Sequence, residues 1–194
     1  MDRRLPTYDS APIPAPPAAV RAAIEAAHAL GVPRDYAAAR KLRRVREPRS
    51  LIRIGADIHG RSQWLAPRAA RSWQRLAEAA ARDGVVLQVV SAFRGCEYQL
   101  GIVRRKLESG QSIDTILRVS AAPGYSEHHS GRALDVTTPG CRALEDEFER
   151  SAAFAWLRRH ARRFGFHLSY PRRNPHGIAY EPWHWCWHAK HKSR

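Results

Sequence analysis

Cysteine is scarce in this chain and gives no pairing pattern. Cys96, Cys141 and Cys186 are odd in number, far apart and without a CxxC pair, which argues against a disulfide scaffold or an all-cysteine zinc site. No apolar run approaches the roughly 18 to 20 residues that a bilayer-spanning helix needs, so a transmembrane protein is excluded. A secretory leader has a basic start and an apolar stretch of about 7 to 15 residues. The opening MDRRLPTYDSAPIPAPPAAV is instead broken by proline five times. As written, the chain is expected in the cytoplasm, or in the periplasm or cell wall if another route exports it. Acidic residues are also few, 18 Asp+Glu against 33 Lys+Arg, for a formal charge of +15. That excess fits a polyanionic partner such as nucleic acid, an anionic membrane or an acidic wall polymer, without choosing among them. At 44% hydrophobic and 26% charged, the composition is nevertheless that of a folded protein.

A length of 194 residues suits one domain with a modest core and an N-terminal appendage. The appendage is read as residues 1–50, a proline-rich arm followed by a basic helical extension, and the folded domain as 51–194. Pro6, Pro12, Pro14, Pro16 and Pro17 fix too many φ angles for a helix or central strand. Val20, Ile24, Ala27 and Leu30 then recur at helical spacing ahead of Gly31, which predicts a short amphipathic helix. In the basic run RKLRRVR, from Arg40 to Arg46, Leu42 and Val45 can face inward while the arginines point to water. A solvated helix face is the expected reading, and a polyanion-binding patch the alternative.

Further along, LIRI from Leu51 to Ile54 reads as a strand, and Pro67 to Asp83 as the strongest helix, with an apolar stripe through Trp73, Leu76 and Ala80. The β-branched run from Val85 to Phe93 reads as a buried strand delivering Arg94 to its end. Helices are expected over Cys96 to Leu107, Ser112 to Val119 and Ser151 to Phe164, and strands over Ala133 to Thr137, Phe166 to Tyr170 and Tyr180 to His188. The order neither alternates regularly nor repeats. It favours an α+β fold with a small, mostly antiparallel central sheet flanked by helices.

Two stretches carry the chemistry. In SEHHSGRALD, a strand through Ala133 to Thr137 turns Asp135 to one face and Leu134 and Val136 to the core. Gly131 lets the preceding loop fold back, bringing His128 to that carboxylate. In EPWHW, Glu181 and His184 stand three apart and face opposite ways on a regular strand, but a bend at Pro182 brings both to one cleft. A hydrolytic zinc ion takes three protein donors and leaves one position open. His128, Asp135 and His184 supply the donors, and Glu181 a carboxylate free to move protons. His129 must point away from such a site. His188 shares the face of His184 but is read, with His191, as a tail residue. Trp183, Trp185 and Trp187 alternate onto one face as a core wall, with Trp183 also able to border the cleft.

These segments resemble the S-x-H-x-x-G-x-A-x-D and E-x-W-H signatures of VanY-like D-alanyl-D-alanine carboxypeptidases, zinc peptidases of peptidoglycan. SAFRG, from Ser91 to Gly95, resembles the family's strand-end element, with Phe93 in place of tyrosine. The resemblance covers roughly residues 85–190 and implies a fold related to the hedgehog signalling domain. It implies one Zn2+ on His128, Asp135 and His184, Glu181 as catalytic base, and Arg94 and Ser126 as substrate contacts, Arg94 holding a terminal carboxylate or the oxyanion. The expected activity is release of the C-terminal D-Ala from stem peptides. The alternatives are an endopeptidase of the phage-lysin kind and, in another class, a basic polyanion-binding module with a structural zinc. The expected partner is peptidoglycan or its fragments, with an anionic wall polymer as a second partner for the basic surface and nucleic acid disfavoured.

Overall fold

In this computed structural model residues 12–189 are described; much of the proline-rich arm, and His191, lie outside them. Within that range the chain folds as the α+β architecture expected. Helix α1 (Pro17–Ala29) and the single turn α2 (Tyr36–Ala39) precede a hairpin of β1 (Ile52–Ala56) and β2 (Ser62–Leu65). Helix α3 (Pro67–Arg82), strand β3 (Gln88–Ser91), helices α4 (Cys96–Glu108) and α5 (Ile113–Val119), and strand β4 (Ala133–Thr137) follow. Helix α6 (Ala152–His160) and strands β5 (Phe166–Leu168) and β6 (His184–Trp187) complete the order.

Strand alternation divides the main sheet into two working faces. Its order is β3-β4-β6-β5, and every pairing is antiparallel. Val89, Leu134, Val136, Phe166 and Trp185 enter one core with Trp73, Leu76 and Ala80 of α3 and Trp156 and Leu157 of α6. Burying each of these large side chains contributes about 1.5–3 kcal/mol, enough to fix which face of β4 points inward. Trp183 and Trp187 pack at the margin of the same core, as the tryptophan spacing predicts. Asp135 and His184, one residue out of step with Leu134 and Trp185, therefore lie on the opposite face.

A second core joins the N-terminal segment to the domain. Val20, Ile24 and Ala27 of α1 pack with Cys96 and Leu100 of α4 and Leu117 of α5. Glu47 ties the same region together: its carboxylate accepts from the backbone N–H of Cys96 at 2.8 Å and of Ala15 at 2.7 Å. A carboxylate on the first residue of α4 also complements the positive end of the helix dipole.

Several boundaries differ from the sequence expectation. The basic run is not helical: α2 stops at Ala39, Lys41 takes φ 51°, and Val45 instead donates its N–H to Gly124 O. Arg40 is not solvated either, because its guanidinium donates to the carbonyls of Leu117 and Gly177. Arg43, Arg44 and Arg46 do point to water. The strand expected from Val85 to Phe93 pairs only over Gln88–Ser91, because its partner β4 is five residues long. The strand expected from Tyr180 begins at His184, after a turn in which His184 N–H donates to Glu181 O. The helix expected to Phe164 tightens into a 3-10 turn from Ala161.

Strand β2 lies in a stretch to which the sequence analysis assigns no element, and it steadies the site side of the sheet. Gln63 Oε1 accepts from Ala92 N–H at 2.8 Å while its Nε2 donates to Asp57, and Phe93 N–H donates to Trp64 O. The hairpin thereby holds the end of β3 from which Arg94 departs.

Gly131 sits at φ 62°, and a Cβ there would meet Ala66 N at 2.9 Å and Leu51 Cδ2 at 3.1 Å. The left-handed backbone alone costs a non-glycine residue about 1–2 kcal/mol. Gly131→Ala is accordingly expected to lose more than that, read as a lower urea midpoint at unchanged slope.

Candidate metal centre and cleft

Asp135 occupies the middle of β4, opposite Ser91 on one side and His184 on the other. His184 is thus a cross-strand neighbour, and its Nδ1 reaches Asp135 Oδ1 at 2.9 Å. His128 comes from the 3-10 turn Glu127–Ser130, which Gly131 terminates just before β4. Its Nε2 lies 3.3 Å from Asp135 Oδ2 but off the line of a hydrogen bond, so this buried nitrogen has no partner. One donor atom from each of His128, Asp135 and His184 lies within 4.8 Å of the other two, and all three residues are buried. Two imidazole nitrogens and a carboxylate oxygen, one nitrogen orphaned, form a donor set that fits a divalent transition-metal ion.

Glu181 joins the cluster through the turn that precedes β6. Its Oε2 stands 3.8 Å from His184 Nδ1, so the bend at Pro182 does bring carboxylate and imidazole to one side. Arg94 borders the same cleft; its Nε is buried and unpartnered, and its backbone N–H points at His128 O at 3.4 Å. Ser126 is buried immediately before the 3-10 turn. Trp183 is half-buried, with its carbonyl accepting from Val136 N–H.

Two supporting side chains, Glu127 and Tyr170, escaped the sequence reading of the site. Glu127 Oε2 meets the far nitrogen of His184, Nε2, at 2.9 Å, leaving Nδ1 for the cluster. His128 is fixed likewise, its Nδ1 donating to Ala92 O at 2.6 Å. His129 turns away, as expected, and locks the loop: Nδ1 donates to Arg94 O at 2.6 Å while Nε2 accepts from Gly124 N–H. Tyr170 lays its ring against His184, with centroids 4.8 Å apart. Partners of this kind orient metal-binding imidazoles and select the nitrogen presented.

The charges follow from these contacts. Burial, helped by the Arg94 charge, pushes His128 down to about 4, so it is a neutral donor at pH 7. Burial also opposes charge on His184, but its hydrogen bonds to Asp135 and Glu127 prevail and raise it to about 10. Burial would likewise raise Asp135, yet the two histidines hold it well below the usual carboxylate range. Glu181 goes the other way: burial first, then the Asp135 charge, lift it to about 7 against His184 and Arg94. A carboxyl poised there can both accept and return a proton near neutrality.

Comparison with known proteins matches this arrangement to one family. Residues 62–190 fit the family VanY, D-alanyl-D-alanine carboxypeptidase. The chain belongs to the VanY family. Among relatives, the bifunctional D-Ala-D-Ala dipeptidase and D-Ala-D-Ala carboxypeptidase VanXYC of Enterococcus gallinarum is 31% identical over 151 residues, 74% of this chain and 76% of that protein. The LdcB LD-carboxypeptidase structure superposes with a TM-score of 0.65 at 27% identity, covering 73% of this chain and 69% of its own. The vancomycin resistance D,D-pentapeptidase VanY, solved with Zn(II), gives a TM-score of 0.56 at 28% identity, covering 71% and 78%. The chain spans less than half the length of another VanY-type relative, the D-alanyl-D-alanine carboxypeptidase of Enterococcus faecalis, at 44%.

Two outcomes are expected of the cluster. Without a cation His184 keeps its proton up to about pH 10, so at lower pH the proton competes with metal at Nδ1. Zinc uptake by the stripped protein should therefore tighten as pH rises, by about tenfold per unit across neutrality, as competition with a chromophoric chelator will show. Glu127→Ala should weaken zinc binding by about 10- to 100-fold in the same titration.

Proposed function

We propose that this VanY-family protein is a zinc-dependent carboxypeptidase that releases the C-terminal D-Ala of peptidoglycan stem peptides. The observation that carries the reading is a three-donor cluster with a fourth, separate carboxylate beside it: Glu181 is 3.8 Å from His184 Nδ1 and has a pKa lifted to about 7. His128, Asp135 and His184 are the residues that would hold zinc. Bound there, the ion supplies Lewis acidity toward the scissile carbonyl and makes water a better nucleophile.

Glu181 is assigned as the base. It takes a proton from the attacking water and returns it to the departing amine, which is why a pKa near the working pH suits it. Arg94 is assigned to the substrate's terminal carboxylate or to the oxyanion, since its buried, unpartnered Nε is a donor awaiting an anion. Ser126 and Trp183 are assigned to the cleft wall as further substrate contacts. Residues 51–194 are taken as the catalytic unit, with residues 1–50 as its extension. The exposed Arg43, Arg44 and Arg46 are available to an anionic wall polymer. A purely structural zinc site would leave the buried Glu181 without a task.

The assay presents metal-loaded protein with a pentapeptide ending in D-Ala-D-Ala, with an L-Lys-D-Ala peptide and with intact sacculi, and reads products by mass. Loss of one D-Ala from a free peptide is expected; release of cross-linked fragments alone would instead favour the endopeptidase. Glu181→Gln should keep its zinc while turnover falls by about 10²- to 10⁴-fold or more. Near-normal turnover in that zinc-loaded variant would overturn the assignment of the base.

A further inference from the structure

We infer that β6 builds a second divalent-cation site, distinct from the first, from Cys186, His188, Glu127 and His167. Side chains two apart share one face of an extended segment, so His184, Cys186 and His188 form a ladder along one side of β6 and the residue beyond it. The first rung belongs to the His128 cluster; the next two do not. Cys186 lies opposite His167 of β5 in the antiparallel register, and the rings of His167 and His188 meet edge to face with centroids 5.4 Å apart.

Glu127 approaches from the 3-10 turn. One donor atom each from Glu127, Cys186 and His188 lies within 4.8 Å of the other two, a spread that small side-chain rotations bring to the separation of neighbouring ligands. A groove of about 690 Å³ lined by Glu127, His167, Ser169 and His188 opens their side of the group to solvent, while Cys186 itself is buried. Arg162 shares the lining, facing the Glu127 carboxylate, which supplies the negative charge of the group.

The donor types define the ligand. Thiolate sulfur with imidazole nitrogens suits zinc or cobalt(II), whereas magnesium and calcium prefer oxygen throughout. An ion here would share Glu127 with the first centre, because Glu127 Oε2 already meets His184 Nε2 at 2.9 Å. Drawing that carboxylate toward a cation loosens its hold on His184, which couples the occupancy of the two sites.

The first cluster contains no sulfur, and this separates the two in a single titration. Full-length protein stripped of metal is titrated with cobalt(II), with stoichiometry and near-ultraviolet absorbance followed together. Wild type should take up two equivalents and develop a thiolate-to-cobalt charge-transfer band. Cys186→Ser should lose the band and one equivalent, whereas Cys141→Ser should keep both. His188→Ala, a change at an exposed position, should also lose the band and serves if Cys186→Ser does not fold. His128→Ala should lose the other equivalent and retain the band, so failure of the proposed catalytic centre is distinguishable from failure of this site. A wild-type protein that never shows the band, or a band that survives Cys186→Ser, would overturn the inference.

Discussion

A carboxylate buried at the centre of a small sheet is the constraint around which this molecule is arranged. Taking Asp135 out of water costs several kcal/mol even after relaxation, and the cost is met only if positive or metal-binding groups stand at its oxygens. His184 arrives by cross-strand pairing and His128 through a turn closed by Gly131. The strand that carries the carboxylate cannot slide out of this register. It is hydrogen-bonded to β3 and β6 on its two edges, and a one-residue slip would carry Leu134 and Val136 out of the core.

Around the cluster runs a layer of residues whose work is orientation. Ala92 O accepts from His128 Nδ1, Glu127 meets the outer nitrogen of His184, and His129 fastens the carbonyl of Arg94. The first two fix a ring through the nitrogen not facing the cleft, and the third fixes the backbone that carries the Arg94 guanidinium. The hairpin of β1 and β2 belongs to the same scheme, since Gln63 holds the Ala92 amide whose carbonyl partner steadies His128. Positioning therefore reaches from a surface hairpin to a buried nitrogen in two hydrogen bonds.

Much of this was legible in the sequence where local pattern and tertiary demand agree. Ala133–Thr137 reads directly as a strand because alternation and β-branching coincide, and Pro67–Arg82 as a helix because its stripe, its opening proline and the Gly84 that follows it coincide. Gly131 could be read as a turn because only glycine tolerates that close return. Strand β2 was not legible: SQWL is short and half polar, and its pairing is decided by Gln63 contacts distant in sequence. The basic run misled because its periodicity is helical while its backbone groups are claimed by Gly124 and its Arg40 by remote carbonyls. Glu127 fell between two motif positions, and nothing local marks a surface-type glutamate as the partner of a histidine 57 residues on.

The two-armed grip of Glu47 has one more implication. One carboxylate oxygen anchors the opening turn of the helix that begins two residues after Arg94, and the other holds the strand-like stretch ahead of α1. The segment from Ala15 to Glu47 is thus joined, amide to amide, to the backbone that carries the cleft's guanidinium. A force or a partner that lifted this segment away would reach the cleft wall, making a region remote from the chemistry a mechanical handle upon it.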